Sequence, residues 1–102
     1  REHFEAAGIT PSMKVIVFGM EEFPEWNKIS LKPDEPIDLE IIRKEVIERA
    51  ITAKESHPSI GAFILECTDL PPFAQTIRER TDLPVFDFMS MMDMIARALG
   101  II

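Results

Sequence analysis

Apolar positions along the chain fall into two patterns. Short continuous runs occur at Lys14-Val-Ile-Val-Phe-Gly19, Gly61-Ala-Phe-Ile-Leu-Glu-Cys67 and Leu83-Pro-Val-Phe-Asp87. Each is rich in β-branched or aromatic residues and ends at a turn residue, so each predicts a strand. Ala62 to Leu65 are apolar without interruption, which suits a parallel strand covered on both faces. Between the first two runs the period changes. Leu39, Ile42, Val46, Ala50 and Ala53 recur at helical spacing, with Ile47 and Ile51 widening the stripe.

Flanking residues set the ends of the predicted helices. Asp38 is placed to cap the long one, and His57-Pro58 to stop it, because a residue before proline resists the α region. Glu40–Lys44 and Glu45–Arg49 stand at favourable i,i+4 spacing. Pro71-Pro72 opens the next helix with proline in its first turn, and Phe73, Ala74 and Ile77 form the inner face. Ser90 caps a last helix whose Met91, Met94, Ile95, Ala98 and Leu99 face inward, the methionines as gap-filling core. Glu21 to Asn27 predicts one or two helical turns, and Trp26 beside Phe23 reads as a packing anchor. The first dozen residues read as a connector, and Ser30 to Pro36 as a surface loop.

Strands alternating with helices imply parallel crossovers, right-handed by strong precedent. The fold class expected is therefore α/β: a three-layer lobe, residues 1–102, with a short parallel sheet flanked by helices.

Composition narrows the function classes. Hydrophobic residues make up 46% of the 102 residues and charged residues 28%, as in an ordinary single domain. A net charge of −7 with no basic stripe argues against nucleic acid, and no apolar run could span a bilayer. The opening Arg1-Glu2-His3-Phe4 has neither a starter methionine nor a signal-peptide core, so the chain is expected to be a piece of a longer protein. One cysteine excludes an internal disulfide framework and fits a reducing, cytoplasmic setting.

That cysteine is the main chemical candidate. Cys67 ends an apolar run, Thr68 and Asp69 follow, and a helix starts a few residues on. Ligands collect at the carboxyl ends of strands in open α/β sheets, and thiolates are stabilised near helix N-termini. Two readings stay open: a reactive thiol, or a small buried hydrophobe. Thr68 could bind a carboxylate or enolate oxygen or merely cap the turn. Asp69 suits a turn better than a general base. Glu66 points away from Cys67 by strand alternation. Two distant histidines and one cysteine give no metal-ligand spacing, and His57 belongs at the end of the strand opposite Cys67.

Glu66-Cys67-Thr68-Asp69-Leu70-Pro71, then Ile77, then Leu83-Pro84-Val85-Phe86-Asp87 resemble the second cysteine motif of the aspartate/glutamate/hydantoin racemase superfamily. The similarity extends through Gly61–Leu65, Val15–Glu21 with Phe23, and Ala6-Ala7-Gly8-Ile9, covering Ala6 to Leu99. The resemblance implies half of a two-lobed fold and a cofactor-independent racemase or epimerase. Its substrate would be a small, carboxylate-bearing amino acid or a hydantoin. Two thiols, one per lobe, would exchange the α-proton on opposite faces, with Cys67 as the second lobe's acid/base and Thr68 holding the carboxylate. Asp69 departs from the histidine or glutamate that relatives often carry there, and is kept as a weaker substrate contact.

Without an N-terminal lobe the piece is expected to lack racemase activity. Alternatives are a decarboxylase or cis–trans isomerase of the same superfamily, or a non-catalytic binding or dimerisation lobe. An isolated lobe would expose its cleft-facing apolar surface, so a homodimer is also expected.

Overall fold

The computed structural model describes residues 2–102; Arg1, the first residue of the opening read above, lies outside them. Helices α1 (Glu2–Ala6), α2 (Pro24–Leu31) and α3 (Leu39–Ser56) precede strand β1 (Phe63–Ile64). A 3-10 turn (Pro71–Phe73), α4 (Ala74–Thr81), strand β2 (Val85–Phe86) and α5 (Phe88–Ala98) complete the order. The two strands pair in parallel, Phe63 opposite Val85 and Ile64 opposite Phe86, with α4 in the connection between them. The protein is thus mixed α and β, helix-rich, around a small parallel sheet.

The core forms where three predicted patterns meet. Ile42, Val46, Ile47 and Ala50 of α3 bury against Phe73, Ala74 and Ile77 and against Val85. Trp26, Ile29, Phe63 and Leu65 pack on its margin. Asp38 caps α3 as its sequence position predicts, accepting hydrogen bonds from the N–H groups of Glu40 (3.0 Å) and Ile41 (3.3 Å). Helix α3 stops at Ser56, with His57 as its C-cap before Pro58.

Seven expectations need correction. The predicted connector over the first dozen residues contains α1, and α2 runs through Leu31 into the predicted Ser30–Pro36 loop. Lys14–Gly19 forms no strand: Val15, Ile16 and Val17 are exposed, because no described neighbour supplies the hydrogen-bonding edge a strand needs. The sheet is covered on one face, not two. Residues 63, 65 and 85 face the core, whereas the register partners Ile64 and Phe86 are 74% and 54% exposed. The three-layer arrangement therefore gives way to helices on a single side.

Helix α5 buries no residue, so Met91, Met94, Ile95 and Leu99 do not form an inner face. Asp87, not Ser90, is its N-cap. Extended backbone at Asp87 lets its Oδ1 accept from Ser90 N–H (2.7 Å), while Ser90 Oγ accepts from Asp87 N–H (2.9 Å) in a reciprocal capping box. Finally, the i,i+4 ion pairs of α3 are replaced by others. Glu40 pairs with Arg43, Arg49 pairs with Glu22, and Glu45 turns inward to cap α2.

Candidate functional site

The paired strands deliver two short segments to one edge of the sheet. The ladder runs on to Leu65, whose N–H donates to Phe86 O (2.8 Å). Past it the chain makes the turn Cys67–Leu70, closed by Leu70 N–H donating to Cys67 O (3.1 Å). That geometry leaves the N–H groups of Thr68 and Asp69 at the centre of the turn, without a backbone acceptor among the described residues. Leu70 O in turn accepts from Phe73 N–H (2.9 Å), leading into the 3-10 turn. On the neighbouring strand, Asp87 and the first residues of α5 occupy the same edge.

Side-chain alternation persists from Ala62 to Cys67. Ile64 and Glu66 are exposed; Phe63, Leu65 and Cys67 are half-buried. The sulfur is therefore not sealed in the core. Cys67 Sγ donates to Asp69 Oδ2 at 3.8 Å, so the two residues proposed from the sequence are brought together. Thr68, exposed, forms one wall of an open depression of about 440 Å³, completed by Pro71, Pro72, Phe88 and Met89. Cys67 adjoins that wall through its peptide bond to Thr68.

His57 precedes β1 whereas Cys67 follows it, so the strand separates them and no Cys–His pair forms. Instead His57 packs edge-on against Phe18, ring centroids 5.7 Å apart. Among the described residues no cluster of three or more acidic, histidine or cysteine side chains could hold a metal. None of the described helices is long and apolar enough to cross a membrane.

Phe88 and Met89, which line the depression, are not among the residues singled out by the sequence. The signal was present: Asp87 was placed at a strand end, and the residues just after it must share that edge. Glu45 was missed as a structural carboxylate. Here too a signal exists, since Phe23-Pro24 offers α2 no capping side chain.

The chain is similar to curated proteins of one name. It is 40% identical over 63 residues, 62% of this chain and 21% of the relative, to the dimethylsulfoniopropionate lyase of Durusdinium sp. clade D. Over 99 residues, 90% of this chain and 28% of the relative, it is 28% identical to dimethylsulfoniopropionate lyase 7 of Emiliania huxleyi. Lyase 5 of the same organism is 27% identical over 80% of this chain and 16% of its own length. The chain thus spans between about a sixth and just over a quarter of these relatives. No family model matches, and no solved structure matches.

These relatives overturn the racemase reading. They are named lyases, not racemases, epimerases or hydantoin racemases, and they lend no support to a decarboxylase or cis–trans isomerase. The motif around Cys67 is too short to distinguish inversion at a carbon from elimination across a bond.

Proposed function

We propose that this chain carries the proton-abstracting thiol of a lyase that cleaves dimethylsulfoniopropionate. The reading rests on the relatives' shared name together with one observation: a half-buried cysteine in a turn at the sheet edge, beside an open depression.

The chemistry needs only half of what inversion would require. The named substrate bears a carboxylate at one end and a dimethylsulfonio group at the other, two carbons apart. Cys67, as thiolate, takes a proton from the carbon next to the carboxylate. The C–H electron pair becomes the new carbon–carbon double bond, the carbon–sulfur bond breaks, and its electrons leave on sulfur. The products are neutral dimethyl sulfide and acrylate, and the Cys67 thiol returns its proton to solvent. One base on one face suffices, because nothing has to be redelivered to carbon.

Proton removal builds negative charge on the carboxylate oxygens, and donors aimed there lower the barrier. In this reading the Thr68 hydroxyl and the N–H groups of Thr68 and Asp69 are those donors. Asp69, as acceptor of the thiol hydrogen, positions the sulfur.

The test is dimethyl sulfide release by the purified full chain, followed by gas chromatography. Release is expected from the natural sequence and is lost, by about 10²-fold or more, in Cys67→Ser. A folded protein that releases none, or a serine variant as active as the parent, refutes the reading.

A further inference from the structure

We infer that the depression bounded by Phe88, Met89, Pro71 and Pro72 is the seat of a methylated sulfonium or ammonium head, with Phe88 as the residue that selects for its positive charge. This rests on the lyase reading for the position of the carboxylate end, but the selection itself follows from the chemistry of the wall.

Sulfonium carries its charge under methyl groups, so it is poorly hydrated and suited to an apolar, electron-rich surface. An aromatic face attracts such a cation through its quadrupole, as in aromatic recognition of quaternary ammonium groups. Phe88 is the aromatic residue lining the depression and is 48% exposed, so no core packing holds its ring against turning a face to a ligand. Methionine sulfur beside it is soft and polarisable. Pro71 and Pro72 have no N–H, so the start of the 3-10 turn offers none of the donors that make helix starts attractive to anions.

Local charge points the same way. The two segments forming the rim, residues 66–72 and 85–90, contain Glu66, Asp69 and Asp87 and no lysine or arginine. A purely anionic ligand would meet repulsion from every charged side chain of these segments. A zwitterion meets that repulsion only at its carboxylate, where the N–H groups of Thr68 and Asp69, without a backbone acceptor among the described residues, offset it, while its cationic end lies toward Phe88. Thr68 belongs both to that turn and to the depression, so the two ends of one small molecule can be held together.

The experiment follows alkylation of Cys67, the sole cysteine, by iodoacetamide in the full chain, and needs no turnover. Trimethylsulfonium and dimethylsulfoniopropionate are expected to slow alkylation, whereas 4-methylpentanoate, the uncharged-head isostere of the latter, protects far less well. In Phe88→Leu the half-protecting concentration of trimethylsulfonium should rise about 3- to 30-fold, and Phe88→Trp should lower it. Near-equal protection by the isostere, absence of protection by trimethylsulfonium, or a Phe88→Leu variant indistinguishable from the parent overturns the inference. Charge-selective, Phe88-dependent protection without dimethyl sulfide release would sustain the inference and sink the lyase reading. Release with charge-blind binding would do the reverse.

Discussion

Glu45, buried in α3, accepts hydrogen bonds from the backbone N–H groups of Glu25 (3.0 Å) and Trp26 (2.8 Å) at the start of α2. The first helical residue is Pro24, and Phe23 before it offers no capping side chain, so a carboxylate from another helix does the capping. Glu25 then receives the N–H of Asp38 (2.7 Å), the residue that caps α3 itself. Each helix start is thereby tied to the other helix.

Glu45→Ala should therefore cost about 2–3 kcal/mol, since it orphans one buried and one part-buried donor that had a charged acceptor. Glu45→Gln, which keeps one acceptor oxygen, should cost less. Denaturant unfolding followed by the fluorescence of Trp26, the only tryptophan, measures both. Equal stability of the alanine variant would show that the cross-helix cap is dispensable.

Acid should loosen the same junction. Glu25 is held below the usual carboxylate range, first by the Asp38 N–H and then by Lys28, whose ammonium lies 3.0 Å away and is itself raised by the pairing. A depressed carboxyl contributes stability above its unfolded value and loses it as pH falls through the lower folded value. Lys28 works in the opposite sense, its share fading as pH rises through its raised value. Glu25→Gln should flatten the acid limb of a plot of unfolding midpoint against pH, leaving the alkaline limb to report the loss of the Lys28 partner.

The one-sided sheet predicts opposite fates for two isoleucines. Ile77 is 1% exposed and should cost about 2–5 kcal/mol on truncation to alanine. Ile64 is 74% exposed, and Ile64→Thr should stay within about 0.5 kcal/mol of the parent. A severe loss at Ile64 would mean that the second face of the sheet is covered in solution.

Helix α4 ends at Thr81, and its C-cap, Asp82, is a non-glycine residue in the left-handed region at φ 56°. Glycine adopts that conformation without a Cβ penalty and favours this position after a helix. Asp82→Gly should accordingly raise stability, by about 1 kcal/mol at most, read as an upward shift in Tm. A lower Tm would show that the aspartate side chain stabilises the turn.

Local signals in the sequence were legible where one rule governed the outcome. Asp38 caps, Pro58 terminates, and Phe73, Ala74 and Ile77 go inside because capping, proline sterics and helical periodicity each act within a few residues. Val15–Val17 failed as a strand because strand formation depends on an edge elsewhere in space, which a run of β-branched residues cannot report. Likewise the methionines of α5 have helical periodicity without a partner to bury it. The turn position of Cys67, Thr68 and Asp69 is legible from the strand that precedes them. The same rule applied to Asp87 places Phe88 at that edge, but its approach to Thr68 depends on β2 pairing with β1.

Deuterium at the carbon next to the substrate carboxylate tests most directly whether Cys67 begins the reaction there. In competition between labelled and unlabelled dimethylsulfoniopropionate, the label at that carbon should be discriminated against severalfold in kcat/KM, and the label on the sulfur-bearing carbon only weakly. Equal consumption of both labelled forms, or discrimination confined to the sulfur-bearing carbon, would contradict proton removal by this thiol as the step that releases dimethyl sulfide.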